Sequence, residues 1–166
     1  MLNQTVLSEE DYRRLADIIS RLYSESSAKS VFLFDRSGRQ ITSEGVTRGL
    51  DVTSFASLTA GSVAATEELA HLVGEEAFPA QFHEGVENSI YIATIGRKAI
   101  LVILFNDRSS IGLVRLRMKK AMMDLSRAYS EISLKEKEVR DTHEDGPGGT
   151  VLENLSEEDI EKLFAS

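Results

Sequence analysis

The chain of 166 residues contains no cysteine. That excludes disulfides and thiolate metal sites, and it fits a reducing compartment. No apolar run approaches the roughly 20 residues that cross a bilayer. No basic segment followed by an apolar core opens the chain, as a secretory signal would. The cytoplasm is the expected compartment. A basic excess is also lacking. The net charge is −8, and residues 141–166 hold eight acids against Lys162, leaving the first 140 residues at −1. Nucleic acid is therefore not the expected main partner, because phosphate binding needs a basic footprint.

Catalytic patterns are equally sparse. LTAGSVAAT holds a lone glycine and no phosphate-loop lysine, and no G-x-S-x-G elbow supports a nucleophile. His71, His83 and His143 fall in a helix, a strand and a linker, without ligand spacing between them. Arg115, Arg117, Lys119 and Lys120 cluster on one helix, the pattern of a solvated face. Met118, Met122 and Met123 suit core filling. No cofactor or metal is expected, and the chain reads as a binding protein rather than an enzyme.

The chain is organised around Asp51 to Glu75, DVTSFASLTAGSVAATEELAHLVGE. Asp51 or Thr53 can cap a first helical turn, and Gly74 stands where a left-handed glycine would end the helix. Phe55, Leu58, Ala65, Leu69 and Leu72 recur at helical spacing, which predicts that they share the face packed on a sheet. Ser57, Ala60, Gly61 and Ala64 project elsewhere, where a solvated helix would carry Lys and Glu. Glycine inside a helix costs about 1 kcal/mol relative to alanine. Either a protein partner approaches closely there, or this is an alanine-rich helix with a weak polar face.

Around it, Ser8 to Ser26 predicts a first helix with an S-x-x-D capping arrangement. Val31 to Asp35 and Gln40 to Ser43 predict a hairpin turning at Gly38. Gln81 to Val86, Ile90 to Ile95 and Ala99 to Phe105 predict three more strands, the last (AILVILF) apolar throughout and so covered on both faces. A long helix starts at Ser109 or Ser110. The expected domain spans residues 1–134, and the order α-β-β-α-β-β-β-α implies an α/β sandwich: a mostly antiparallel five-stranded sheet with helices on both faces. Residues 135–150 read as a frayed helix end and flexible linker. Residues 151–166 read as a short acidic helix with Ile160, Leu163 and Phe164 on one apolar edge, too short to stand alone.

VFLFDRSGRQI, SFASLTAGSVAATEELA and FHEGVENSIYIATIGRKAILVILFNDRSSIGLVRLRMKKA resemble the Roadblock / dynein light-chain family over about residues 30 to 125. The resemblance is strongest to bacterial members that act on a small Ras-like GTPase of the MglA type. It implies strand order 2-1-5-4-3 and a homodimer, with central helices side by side and third strands paired through Val63, Thr66, Ala70, Phe82 and Glu84. It further implies that the GTP form of the GTPase binds at Ser57, Ala60, Gly61, Ala64 and Glu68. The apolar edge of Ile160, Leu163 and Phe164 either makes a second contact with that GTPase or belongs to a disordered tail. Glu68 departs from the small residue such a face would carry. The implied activity is stimulation of GTP hydrolysis by reshaping the partner's switch regions, without an arginine finger, in control of cell polarity and motility, at a cell pole. A non-catalytic Roadblock scaffold that localises a GTPase or motor is the alternative. A profilin- or PAS-like ligand sensor shares the element order.

Overall fold

The structure is a computed structural model that describes residues 6–144. The expected acidic helix over 151–166, with Ile160, Leu163 and Phe164, lies outside the described residues. Two compact units divide the chain, residues Met1–Tyr129 and Ser130–Ser166.

The first unit opens with α1 (Glu9–Ser26). Its capping box is closed: the Asp11 N–H donates to Ser8 Oγ at 3.1 Å, and the Ser8 N–H donates to Asp11 Oδ2 at 3.2 Å. Five strands follow: β1 (Ser30–Asp35), β2 (Gln40–Gly45), β3 (Ala80–His83), β4 (Ser89–Ile95) and β5 (Ala99–Phe105). They form one sheet in the order β2-β1-β5-β4-β3, and every pairing is antiparallel. The apolar run AILVILF is the central strand, held by β1 on one side and β4 on the other. That position explains why it does not alternate: both of its faces are covered. β3 ends at His83, short of Val86, because Gly85 and its neighbours already form the turn into β4, where the Gly85 N–H donates to Ser89 Oγ at 3.3 Å.

α2 (Val52–Leu72) lies over one face of the sheet. Phe32, Phe34, Ile92, Ile100 and Val102 form a buried cluster with Ala56 and Val63 of the helix. Phe55 closes it edge-on, 5.3 Å from Phe32 and 6.1 Å from Phe34. Side chains alternate across a strand, so Val31, Leu33, Leu101 and Ile103, all fully buried, point to the opposite face. There α1 supplies Leu15, Ile18, Ile19 and Leu22, and α3 (Ile111–Glu144) supplies Val114, Met118, Ala121 and Leu125.

The described part of the second unit is helical through Glu144, so residues 135–144, expected as linker, continue α3. This stretch has no apolar period. Its support is electrostatic: Glu131 and Lys135, Glu136 and Arg140, and Lys137 and Asp141 stand four residues apart with opposite charge, the spacing that stabilises an exposed helix.

Candidate functional site

The site is built on α2. Asp51 starts the helix, accepting the Ser54 N–H at 3.1 Å and the Ser54 hydroxyl at 2.6 Å. Those two bonds, the hydroxyl's first, hold the Asp51 carboxyl below its ordinary pKa.

Ala56, Thr59, Val63 and Ala70 are the residues buried beneath the helix. This overturns the expectation that Phe55, Leu58, Ala65, Leu69 and Leu72 would face the sheet. Phe55 does turn inward, but Leu58, Leu69 and Leu72 are 74%, 57% and 83% exposed, and Ala65 is exposed with them. The reason is volume. The sheet already presents Phe32, Phe34, Ile92, Ile100 and Val102, so small residues on the helix let it settle close without overpacking. Both stripes fit a helical period, and only the bulk of the opposing layer decides between them.

The inversion redistributes the expected interface. Val63 is 2% exposed and Ala70 is fully buried, so neither can meet a partner. Thr66 is half-buried. Phe82 is 37% exposed and stacks on Phe105 with 6.1 Å between centroids. Glu84 is exposed but lies past the end of β3. Of the residues expected to bind a GTPase, Ser57, Gly61, Ala64 and Glu68 are all exposed. Their spacing of four, three and four aligns them as one ridge on a helix of 3.6 residues per turn. Ala60 turns toward the sheet and packs against its core.

Two flanks bound this ridge. On one, the β1–β2 turn is pressed against the helix. Gly38 has φ +86°, and a Cβ there would sit 3.0 Å from the Ala56 carbonyl oxygen and 3.1 Å from Ser57 Cα, so only glycine permits the approach. Asp35 Oδ1 organises the turn by accepting the N–H groups of Ser37 and Arg39, and Arg36 bonds Glu67 of α2. On the other flank runs the stripe Leu58, Ala65, Leu69 and Leu72. On that side the Ser62 hydroxyl donates to Gln81 of β3 at 3.0 Å. β3 is an edge strand that pairs only with β4 within the sheet.

Acids dominate the segment that carries this surface. Residues 49–96 contain seven acids (Asp51, Glu67, Glu68, Glu75, Glu76, Glu84 and Glu87) and no lysine or arginine. The bases sit elsewhere. A cleft beside α1 and α3 is lined by Arg14, Asp17, Arg21, Asp124 and Arg127, with both signs interspersed. Arg115, Lys119 and Lys120 are exposed on α3, while Arg117 pairs with Glu25 at 3.7 Å. His71, His83 and His143 are exposed and lie on different elements. Among the described residues no group of three or more His, Asp or Glu converges as a metal site, and no helix is long and apolar enough to cross a membrane.

Sequence reasoning missed three parts of this surface: the leucine stripe as an outward face, the pairing of Arg36 with Glu67, and the close approach of the Gly38 turn to α2. The stripe had a signal. Leu58, Ser62, Ala65, Leu69 and Leu72 alternate spacings of four and three, which is the seam spacing of helices that pack on other helices.

No curated protein matches the chain. Among solved structures it is similar to Myxococcus xanthus MglB, with 46% identity and a TM-score of 0.72 over 76% of this chain and 96% of that one. The gliding protein MglB from Thermus thermophilus is 29% identical with a TM-score of 0.72, over 79% of this chain and 99% of that one. A structure described as MglB with tetrameric arrangement is 28% identical with a TM-score of 0.73, over 80% of this chain and 99% of that one. The Roadblock/LC7 domain pattern matches residues 11–105, which is more than half the chain, and together with the five-stranded sheet and its strand order this places the protein in the Roadblock/LC7 family.

Proposed function

We propose that this protein is a homodimeric GTPase-activating protein for a small Ras-like GTPase of the MglA type, acting in cell polarity and motility. The observation that carries the reading is the outer surface of α2: a ridge of small residues (Ser57, Gly61, Ala64) beside an exposed leucine stripe. Contiguous exposed apolar surface marks interaction sites. The leucine stripe, with Thr66, Phe82 and the edge of β3, joins two copies. The ridge receives the GTP form of the GTPase.

Stimulation is indirect in this reading. An arginine finger supplied in trans is worth about 10³ to 10⁵ in rate, but Arg36, the arginine that reaches α2, is held by Glu67. The dimer instead reshapes the switch regions so that the GTPase's own groups reach the nucleotide. Residues 151–166 form a second, salt-sensitive contact with the same GTPase, and the complex works at a cell pole in the cytoplasm.

Single-turnover GTP hydrolysis by an MglA-type GTPase, with and without this protein, tests the proposal. Faster hydrolysis that is lost in Ala64→Arg supports it. Tight binding with an unchanged rate makes the protein a localising scaffold. Equal affinity for the GDP and GTP forms refutes a role in activation.

A further inference from the structure

Glu68 is the one charged residue on the ridge, and it stands among serine, glycine and alanine. It makes no hydrogen bond or ion pair among the described residues. Its neighbour Glu67 is the residue engaged, by Arg36. No lysine or arginine occurs between Arg48 and Arg97, and the basic side chain nearest to it along α2 is His71, three residues on and exposed.

Small side chains on a ridge allow a partner to approach to backbone distance. That closeness strips water from whatever stands beside them. A carboxylate that loses water without gaining a counter-charge is strongly disfavoured. Any partner that closes on Ser57, Gly61 and Ala64 therefore has to accommodate Glu68. A hydrophobic or acidic partner surface leaves the charge buried and unpaired. A lysine or arginine converts the same burial into a charge-assisted contact. Charge complementarity of this kind also rejects wrong partners by juxtaposing like charges.

We propose that Glu68 is a specificity-determining residue, which selects a GTPase presenting a lysine or arginine opposite it and rejects GTPases that present an acidic or apolar residue there. The inference rests on the reading of the ridge as the GTPase site. Arginine suits the role best where the carboxylate can be met by two parallel N–H donors.

The test uses the full chain and an MglA-type GTPase loaded with a non-hydrolysable GTP analogue, with affinity measured by titration calorimetry at low and high salt. Glu68→Gln is expected to weaken binding at least tenfold at low salt and to flatten its salt dependence. Glu68→Lys is expected to weaken it at least a hundredfold, and replacing the facing cation of the GTPase by glutamate is expected to restore much of that loss. Ala64→Arg serves as the separate check on the ridge. If Glu68→Gln binds as tightly as the native protein, or tighter, while Ala64→Arg abolishes binding, the ridge is the GTPase site and the role of Glu68 is overturned. If Ala64→Arg binds normally, or the native protein does not bind the probe, the reading of the ridge fails and this inference fails with it.

Discussion

Replacing Leu69 by glutamate examines the leucine stripe where it is most informative. Leu69 lies between Ala65 and Leu72 on the outer side of α2 and is 57% exposed in the protomer. Fully burying a leucine side chain contributes about 1.5–3 kcal/mol. Covering the part that Leu69 leaves exposed is then worth roughly 1–1.5 kcal/mol per copy by the same scale. A two-fold interface counts each residue twice, so losing both leucines costs about 2–3 kcal/mol. That corresponds to a dissociation constant roughly 30- to 150-fold weaker. Two carboxylates forced into an apolar seam raise the cost further. Sedimentation velocity over a concentration series reads the outcome directly. The native protein is expected to sediment as a dimer at low micromolar concentration, and Leu69→Glu as a monomer. Because Leu69 does not belong to the core, the far-ultraviolet circular dichroism of the variant should match the native spectrum. A native protein that stays monomeric across that range, or a Leu69→Glu variant that dimerises with native affinity, refutes the assignment of the stripe.

Adjacent residues on α2 should separate stability from recognition. Val63→Ala is expected to cost about 2 kcal/mol in chemical denaturation, since it removes buried volume from the sheet-facing side. Ala64→Arg, one residue on and exposed, is expected to change stability by no more than about 0.5 kcal/mol while abolishing GTPase binding. Gly45 has φ +97°, and a Cβ there would fall 2.4 Å from the Lys29 carbonyl oxygen. Gly45→Ala should therefore destabilise the fold by about 3 kcal/mol or more, seen as a lower urea midpoint. Tyr129 is buried with its hydroxyl unpartnered, and burial, with the Asp35 charge second, raises its pKa. Tyr129→Phe should leave stability at neutral pH unchanged or raise it by about 1 kcal/mol. A phenol with a raised folded pKa loses its stabilising share as pH climbs beyond the ordinary value near 10, so the variant's advantage should widen above that pH. A drop in stability for Tyr129→Phe at neutral pH would mean that the hydroxyl has a partner.

Much of the architecture was legible because its signals are local. The run AILVILF marks β5 with its observed bounds, Ala99–Phe105, since only a strand covered on both faces reads apolar throughout. The capping box at Ser8 and the glycine at 38 likewise act through nearest neighbours. The orientation of α2 was not legible. The stripe through Leu58, Leu69 and Leu72 and the stripe through Ala56, Val63 and Ala70 share one period, and hydrophobicity alone favours the bulkier set. The decision lies in the sheet, whose phenylalanines and isoleucines leave room for alanine rather than leucine. For the same reason Val63 and Ala70 were misplaced on a dimer interface, while Ser57, Gly61, Ala64 and Glu68 stand exposed on the outer ridge. Beyond residue 134 the sequence reads as a frayed helix end, and the helix in fact runs to Glu144; its length was not legible because opposite charges four residues apart, rather than an apolar face, mark it.

The central position of β5 has a consequence for how the chain assembles as it is made. β1 and β4 both precede β5 in the sequence, so both of its neighbours exist before this most adhesive segment leaves the ribosome. The delay falls on the earlier elements. Phe34 of β1 pairs with Ile100 of β5, and closing a loop of about 66 residues costs about 4 kcal/mol of chain entropy. Until that closure, the β1–β2 hairpin and α2 have no second strand to complete their layer. Folding should therefore be limited by one late event, the insertion of β5, with the sheet and both of its helical layers consolidating together once it is in place.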